Sequence, residues 1–465
     1  MAMLEGRLKG KKAVVLGFGR SGQAATRLLL VAGARVVVSE AREKKALPSS
    51  LWKNFEEQGV IFETGGHRPE TMARADLVVV SPGVPKEVYA PALRAGVPVV
   101  GELELAYQLL SPGKKLVAIT GTNGKTTTSA MVADILRLSG KRTFIGANFG
   151  TPLSEFLLAG EKADYLVLEV SSFQLETISH FRPEVAVILN LTPDHLERYR
   201  DFTDYALTKA RIYENQGPDD HVILPEELPV PLPFPKSRLY FFGSSPGVGV
   251  KLVSGGFKLL LPEGEEFYPL AGFKLLGEHN RLNFAVAALA ARLVGACREG
   301  IEQAVRSFVG FPHRLEFVGN FGGVYFVNDS KATNVDATKK ALEGLVGPII
   351  LILGGKHKGA TYRPLISVLR EKVRLLILMG ESRYVMAEDL HGVVETKIVE
   401  NLEEAVAVAI SEASPGDIVL LSPAAASFDQ FENYQERGDV FRELVLGYAP
   451  QFLGEDNRTS LVTYH

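Results

Sequence analysis

The stretch Lys115–Leu138, KLVAITGTNGKTTTSAMVADILRL, decides the fold class. It opens with an apolar run of the length and composition of a buried parallel strand, and after Lys125 it carries Met131, Ile135 and Leu138 at helical spacing. Between the two lies GTNGKTTT: Gly121, Thr122, Asn123, Gly124, Lys125, Thr126, Thr127 and Thr128. Strand, glycine-bearing loop and helix in this order make a phosphate cradle. Its glycines let backbone N–H groups approach phosphate oxygens, and the helix N-terminus adds a positive dipole. Lys125 neutralises the β- and γ-phosphates, and Thr126 offers a hydroxyl to Mg2+. A full phosphate-loop pattern has glycine where this chain has Ile119, so the motif is a shortened variant. The chemistry it points to is phosphoryl transfer.

Outward from this stretch the same alternation of Val/Ile/Leu-rich runs and helical segments continues to both ends, as in parallel sheets covered by helices on both faces. Upstream lie AVVLG (13–17), RVVVSE (35–40) and DLVVVSPG (76–83), with an amphipathic segment from Gln23 to Val31, which together read as a doubly wound unit. Downstream come YLVLEVSS (165–172) and VAVILNLT (185–192), then a looser Pro- and Gly-rich stretch from Gln216 to about Gly272 that suggests smaller strands or insertions. A third set follows Phe311-Pro312: GVYFVNDS (323–330), PIILILGG (348–355), VRLLILMG (373–380) and DIVLLSPA (417–424). The class is α/β with three domains over 1–106, 107–310 and 311–465: a Rossmann-like N-terminal domain, a central phosphate-loop ATPase domain and a Rossmann-like C-terminal domain. The 465-residue length agrees, since a domain averages about 150 residues. Beyond Leu453 the chain turns polar and reads as a loose tail.

A composition of 46% hydrophobic and 23% charged residues excludes a disordered or collagen-like chain. A net formal charge of −3 supplies no global field for nucleic acid or an anionic membrane, so neither is an expected partner. Cys297 is the single cysteine, which excludes an intrachain disulfide and a cysteine-built zinc site and favours the cytoplasm. No apolar run approaches 18 residues, and neither signal peptide nor membrane span is expected.

In open α/β sheets ligands gather beyond the carboxyl ends of the strands. Gly17-Phe18-Gly19-Arg20-Ser21-Gly22 follows the first strand and matches the dinucleotide fingerprint, with Glu40 in the place of the ribose-binding acid. This fits NAD, and it fits a nucleotide-diphosphate sugar equally, because such a turn receives any diphosphate and Arg42 can pair with phosphate or ribose. Ser81-Pro82-Gly83 is either a second place of close backbone approach or an ordinary turn. Glu169 ends a buried strand, where a carboxylate seldom stands without a partner. Mg2+ takes oxygen ligands, which makes Glu169 and Thr126 candidates and His195, in Asp194-His195, an unusual one beside its reading as a structural histidine. Lys209, in the helical segment TDYALTKARIYEN, reads by itself as a solvated surface lysine.

Taken together the motifs resemble the Mur ligase family, ATP-dependent amide-forming enzymes of peptidoglycan precursor synthesis. The resemblance rests on GTNGKTT (121–127), LEVSSFQLE (168–176), DHLERY (194–199), GEHNRLN (277–283), FPHRLE (311–316), NDSKATN (328–334), GGKHKGA (354–360) and LSPAAASFDQF (421–431), in the family's order. NDSKATN with SPAAASFDQF is similar to the D-glutamate-adding member in particular, and the DNPR-type motif of the diaminopimelate- or lysine-adding members is absent.

The resemblance implies addition of D-glutamate to UDP-N-acetylmuramoyl-L-alanine through an acyl phosphate, by a monomer that closes its third domain over ATP. It places Gly19, Arg20, Ser21, Arg42, Ser81, Gly83, Asn148 and Ser171 on the muramoyl-nucleotide side, with Ala41 standing where relatives often have threonine. It assigns Thr126 and Glu169 to one Mg2+, and His195 with a carbamylated Lys209 to a second. Lys125 then acts in catalysis with Glu169, His195 and Lys209. Asn283, Arg314 and Asp329 match ATP-binding positions, while Lys331, Thr333, Lys358, Ser427 and Tyr434 match the acceptor side, Tyr434 standing where relatives carry phenylalanine. Two rivals remain at this point: an NAD-dependent dehydrogenase built on the first glycine turn, and a phosphate-loop switch that hydrolyses ATP without ligating anything.

Overall fold

Runs of residues buried on both faces pair into three sheets in the computed structural model, which describes Leu4 and residues 6–47, 49–194, 198–275, 277–357, 359 and 361–453. His195, Lys358 and the expected tail beyond Leu453 lie outside the described residues.

The first sheet comprises β1 (Lys12–Leu16), β2 (Arg35–Glu40), β3 (Ile61–Thr64), β4 (Leu77–Val80) and β5 (Val99–Gly101), all parallel in the order β3-β2-β1-β4-β5. Its central strands are unbroken apolar runs because helices cover both faces. One of these helices, Arg20–Val31, buries Ala24, Ala25, Leu28 and Leu29. The strand order reverses between β1 and β4, and the chain leaves both strands there through the turns at Gly17 and Ser81.

The second sheet contains β6 (Lys115–Thr120), β7 (Thr143–Ala147), β8 (Tyr165–Glu169), β9 (Val185–Ile188), β10 (His221–Pro225), β11 (Arg238–Gly243), β12 (Val250–Val253), β13 (Gly256–Leu261) and β14 (Gly264–Pro269). Its order is β14-β13-β12-β11-β10-β9-β6-β8-β7. The pairs from β7 to β12 are parallel, whereas β12, β13 and β14 form an antiparallel ribbon. The loose Pro- and Gly-rich stretch of the sequence is therefore the far half of this sheet. Its strands there are half exposed, so their apolar periodicity is diluted.

These two sheets belong to one compact unit, Met1–Ala271 with Leu282–Ala304. A buried carboxylate joins them. Glu104, on the helix Glu102–Leu109, accepts the backbone N–H groups of Ser179 (3.0 Å), His180 (2.9 Å) and Phe181 (3.0 Å), the Ser179 hydroxyl (3.0 Å) and the Gln108 amide (2.7 Å). Burial pushes its pKa up, and the bonds from Gln108, Ser179 and His180 outweigh burial and hold it below the ordinary carboxylate range.

The second unit, Gly272–Arg281 with Val305–His465, carries β15 (Glu316–Phe321), β16 (Val324–Asn328), β17 (Ile349–Gly354), β18 (Val373–Met379), β19 (Glu395–Ile398) and β20 (Ile418–Leu421). The order is β15-β16-β20-β17-β18-β19, parallel except for the β15–β16 hairpin. Core side chains lie on both of its faces, Leu351 and Leu353 on one and Ile350 and Ile352 on the other.

Glu104→Ala strips the acceptor from several buried donors and is expected to destabilise the protein by about 3 kcal/mol at neutral pH, read by urea unfolding. Because the folded-state pKa is depressed, this contribution is complete above the unfolded carboxylate value of about 4.3 and is lost as pH falls through the folded one. The wild-type and variant stabilities should therefore converge in acid. A gap that stays constant on acidification would refute the carboxylate's role.

Candidate active site

The phosphate loop leaves β6 at Gly121, whose φ of 148° suits glycine and where a Cβ would meet the Leu189 Cβ at 3.1 Å and the Leu189 and Asn190 backbone nitrogens at 3.3 Å. Asn190, just past β9, holds the loop from the neighbouring strand. Its Oδ1 accepts the Asn123 N–H (2.9 Å), its Nδ2 donates to the Asn123 carbonyl (3.1 Å) and its carbonyl accepts the Thr122 N–H (3.1 Å). Thr122 Oγ1 donates to the Thr192 carbonyl (3.1 Å) and accepts the Thr192 N–H (3.0 Å). Gly124, with φ 80°, caps the helix Lys125–Leu138, and a Cβ there would come within 2.9 Å of the Asn283 amide nitrogen. Asn283 thus packs on the loop. Thr126, Thr127 and Thr128 form the first turn of the helix, with Thr128 Oγ1 donating to the Gly124 carbonyl (2.9 Å).

Two ammonium groups converge on this loop. Lys125 Nζ donates to the Gly121 and Thr122 carbonyls, both at 2.9 Å. Lys209 Nζ donates to the Gly121 carbonyl (3.0 Å) and Thr120 Oγ1 (3.3 Å). Lys209 is 2% exposed, so the surface-lysine reading of its helix is corrected: the helix turns this residue into the core, behind the phosphate loop. Burial, then repulsion from Lys125, lowers its pKa to about 7.

Glu169 ends β8, paired in register with Ile119 of β6 and Ala147 of β7. Its Oε1 accepts the Asn148 amide (2.8 Å), while its buried Oε2 has no hydrogen-bond partner. A buried carboxylate oxygen without a proton donor fits Mg2+, which takes one or two protein ligands and completes its shell with phosphate and water; the hydroxyl of Thr126, also buried, is the other candidate donor. Among the described residues no group of three or more His, Cys, Asp and Glu side chains is placed to hold a metal ion.

Asn148 leads from this site into a cleft of about 250 Å³ whose lining includes Gly19, Arg20, Ser21, Ser81, Asn148 and Gln174. The first-domain turns that form it are packed to contact. Ser81 Oγ donates to the Gly17 carbonyl (3.0 Å), and a Cβ on Gly22 would lie 2.1 Å from that carbonyl oxygen. Ser171 caps the short helix Ser172–Leu175 in a reciprocal capping box with Gln174, which turns Gln174 toward the cleft. Gly83 lines an adjoining small hollow with Ser81. Arg42 does not line the cleft; its guanidinium pairs with Glu40 (2.9 Å). Glu40 also accepts the Phe18 N–H (2.9 Å). Burial raises its pKa, but the Arg42 and Phe18 bonds prevail and hold it at about 2. Glu40 is therefore committed to Arg42 and to its own turn, which removes the free acid that a dinucleotide ribose would need.

In the second unit Arg314 stands between His313 and Leu315, whose φ angles of 64° and 44° are unusual for side-chain-bearing residues. Asp329 Oδ1 accepts the Leu315 N–H (3.2 Å) and Oδ2 the Ser422 hydroxyl (2.9 Å). Burial lifts its pKa to about 7 against those bonds and the field of Arg314. Lys331 Nζ lies 3.9 Å from the centre of the Tyr434 ring, and Thr333 follows on the same loop. Ser427, 2% exposed, stands past β20 and its carbonyl accepts the N–H groups of Gln430 and Phe431. Of the acceptor-side candidates, Lys331 and Tyr434 are in direct contact.

A phosphate loop with a buried carboxylate and a substrate-sized cleft beside it, joined to a separate α/β unit, defines an ATP-dependent ligase, and the chain belongs to the Mur ligase family. The Mur ligase MurD-like N-terminal domain matches residues 11–101, the Mur ligase middle domain 119–291 and the glutamate ligase domain 313–425. The chain is 43% identical over 451 residues to the UDP-N-acetylmuramoylalanine–D-glutamate ligase of Acidobacterium capsulatum, covering 95% of this chain and 97% of that one. It is 40% identical over 450 residues to the ligase of the same name from Syntrophus aciditrophicus, covering 95% and 99%. Among solved structures, the pseudomurein peptide ligase type C of Methanothermus fervidus matches with a TM-score of 0.56 at 20% identity, over 94% of this chain and 100% of that one. The UDP-N-acetylmuramate-alanine ligase of Thermotoga maritima matches with a TM-score of 0.53 at 20% identity, over 94% and 99%. These two share the fold.

Asn190 and Gln174 had no role in the sequence reading. A strand-end amide next to a phosphate loop and the S-x-x-Q capping spacing were the available signals. Arg198 had none: it donates to Glu176 (2.6 Å) and to the Val84 carbonyl (3.1 Å), tying the DHLERY segment to the turn after Ser81. Asn190→Ala removes both side-chain bonds to Asn123 and is expected to weaken ATP binding about tenfold, roughly 1.4 kcal/mol, by titration calorimetry. Unchanged ATP affinity would show that the loop holds its shape without Asn190.

Proposed function

We propose that this chain joins D-glutamate to UDP-N-acetylmuramoyl-L-alanine at the expense of ATP, in peptidoglycan precursor synthesis. The observation that carries the reading is 43% identity over 95% of the chain to a D-glutamate-adding ligase, in a chain whose cleft residue Asn148 is bonded to the buried Glu169 at the end of β8.

In the proposed reaction a carboxylate oxygen of the substrate's alanine attacks the γ-phosphorus and the bond to ADP breaks, giving an acyl phosphate. The amino group of D-glutamate then attacks the acyl carbon, loses a proton, and phosphate leaves. Gly19, Arg20, Ser21 and Ser81 receive the diphosphate and Asn148 orients the muramoyl arm, with Arg42 and Gly83 flanking and Gln174 closing the wall. Backbone N–H groups of Thr122 to Thr126 cradle the triphosphate. Lys125 exchanges its loop carbonyls for phosphate oxygens and offsets the charge that develops as two anions meet. Mg2+, when bound by Thr126 and Glu169, supplies further charge neutralisation. Asn283 and Arg314 hold the nucleotide and Asp329 its ribose, while Lys331, Thr333, Ser427 and Tyr434 take the amino acid. Lys358 and His195 keep the roles that the family resemblance gives them. Closure of the second unit over the first excludes water from the acyl phosphate.

Lys209 is proposed to carry a carbamate, which turns a buried cation into an oxygen donor for a second Mg2+. The support is its position: an amine sealed behind the phosphate loop, over the Tyr205 ring at 4.9 Å. Protein freed of CO2 is expected to lose activity and regain it with bicarbonate, and isotopically labelled bicarbonate should give a carbamate resonance that Lys209→Ala abolishes. Activity indifferent to CO2, with no such resonance, would end this assignment.

Phosphate release from ATP with UDP-N-acetylmuramoyl-L-alanine is expected only with D-glutamate among a panel of amino acids that includes both glutamate enantiomers. Release with a different amino acid, or without any, would replace the reading. Lys125→Ala should lower kcat by a factor corresponding to at least about 3 kcal/mol; near-normal turnover would refute its role.

A further inference from the structure

Arg437 is the largest fully buried side chain of the described residues, at 0% exposure, on the helix Tyr434–Leu453. A buried guanidinium ordinarily pairs with a carboxylate. This one forms no ion pair among the described residues, and its donors go to neutral oxygens. Nε donates to Ser330 Oγ (3.0 Å) and Nη2 to the Ser330 and Ala425 carbonyls (2.9 and 3.2 Å). Nη1 reaches the carbonyls of Ala425 (3.2 Å), Ala426 (3.3 Å) and Gly354 (3.4 Å). Those residues end or follow β16, β17 and β20, three strands that are neighbours in the sheet. Two of the resulting loops carry a candidate of the acceptor side: Lys331 after β16 and Ser427 after β20.

The surroundings leave no room for a different arrangement. A Cβ on Gly355 would lie 2.1 Å from the Ala426 carbonyl oxygen and 3.0 Å from Arg437 Nη1. Ser330 Oγ in turn donates to the Tyr434 carbonyl (2.8 Å), so the first turn of the same helix, with the ring under Lys331, is locked into the cluster. Burial lowers the Arg437 pKa to about 10, with Asp429 opposing, so the group stays a cation at neutral pH.

We propose that Arg437 is a positioning residue of the acceptor site: it fixes three strand-end loops at once and supplies beneath them a positive charge that the Asp429 carboxylate offsets only at a distance, without an ion pair, and that favours a dicarboxylate amino acid. This rests on the ligase reading above. A purely structural clamp would need only the hydrogen bonds. The geometry adds a charge, and a charge discriminates glutamate from its neutral isostere glutamine.

The test uses the full-length chain with wild type, Arg437→Met, Arg437→Lys and Ser330→Ala, measuring KM for D-glutamate, ATP and UDP-N-acetylmuramoyl-L-alanine, and kcat/KM for D-glutamate against D-glutamine. Arg437→Met is expected to raise the glutamate KM about tenfold or more with the other two KM values within twofold, and to narrow the glutamate-to-glutamine preference. Arg437→Lys keeps the charge and loses the fork, so it should retain most of the preference while still raising the glutamate KM. Where Arg437→Met fails to fold by calorimetry, Arg437→Lys and Ser330→Ala decide: a rise in glutamate KM alone supports the assignment. All three KM values moving together, or lowered thermal stability with an unmoved glutamate KM, overturns it. Wild type that ignores D-glutamate overturns the ligase reading instead.

Discussion

Glu169 stands at the end of β8 with Ile119 of β6 on one side and Ala147 of β7 on the other, and the first unit's chemistry depends on that register. The two neighbouring strands end in different devices: β6 runs into the phosphate loop and β7 into Asn148 and the cleft. The carboxylate at the end of the strand between them is bonded to Asn148 through one oxygen, while the other has no hydrogen-bond partner. A slip of one residue in β8 would turn Glu169 to the opposite face of the sheet. The apolar residues Leu166, Val167 and Leu168, all at 0% exposure, oppose such a slip.

On its other side β6 pairs with β9, whose continuation places Asn190 against Asn123. The loop that leaves β6 is thus held by a polar residue just past the apolar run of the neighbouring β9. Parallel sheets suit such a site: all their strands end on one edge, and the apolar interior fixes where that edge is.

Much of this was legible in the sequence for that reason. The strands through 13–17, 35–40, 115–121, 165–172, 348–355 and 417–424 are buried apart from residues at their ends, so their apolar runs are continuous and their polar ends stand out. The antiparallel ribbon of β12–β14 was not resolved into strands, because half-exposed strands mix Lys and Glu with their apolar residues. Side-chain partners were least accessible. Lys209 sits in a segment whose periodicity does not reveal which face the tertiary packing buries. Glu40 occupies the right place for a ribose acid, yet Arg42, two residues on, takes its charge. Arg437 lies in QERGD, which has the composition of a solvated helix turn, and nothing local distinguishes it from the exposed Arg370.

Among the described residues, five other than glycine adopt left-handed backbone: Ala147, Glu161, His313, Leu315 and Ala424. Four of them stand beside candidate site positions: Ala147 beside Asn148, His313 and Leu315 on either side of Arg314, and Ala424 in the turn after β20. Each carries a conformational penalty of roughly 1–2 kcal/mol within a total stability of about 5–15 kcal/mol. Glycine would relieve each one, and selection for heat resistance alone would move toward it. The same exchange would let the neighbouring side chain wander, since a glycine hinge accepts many directions where a strained alanine or leucine accepts one. Thermal hardening and fidelity of the reacting groups therefore pull these four codons in opposite directions.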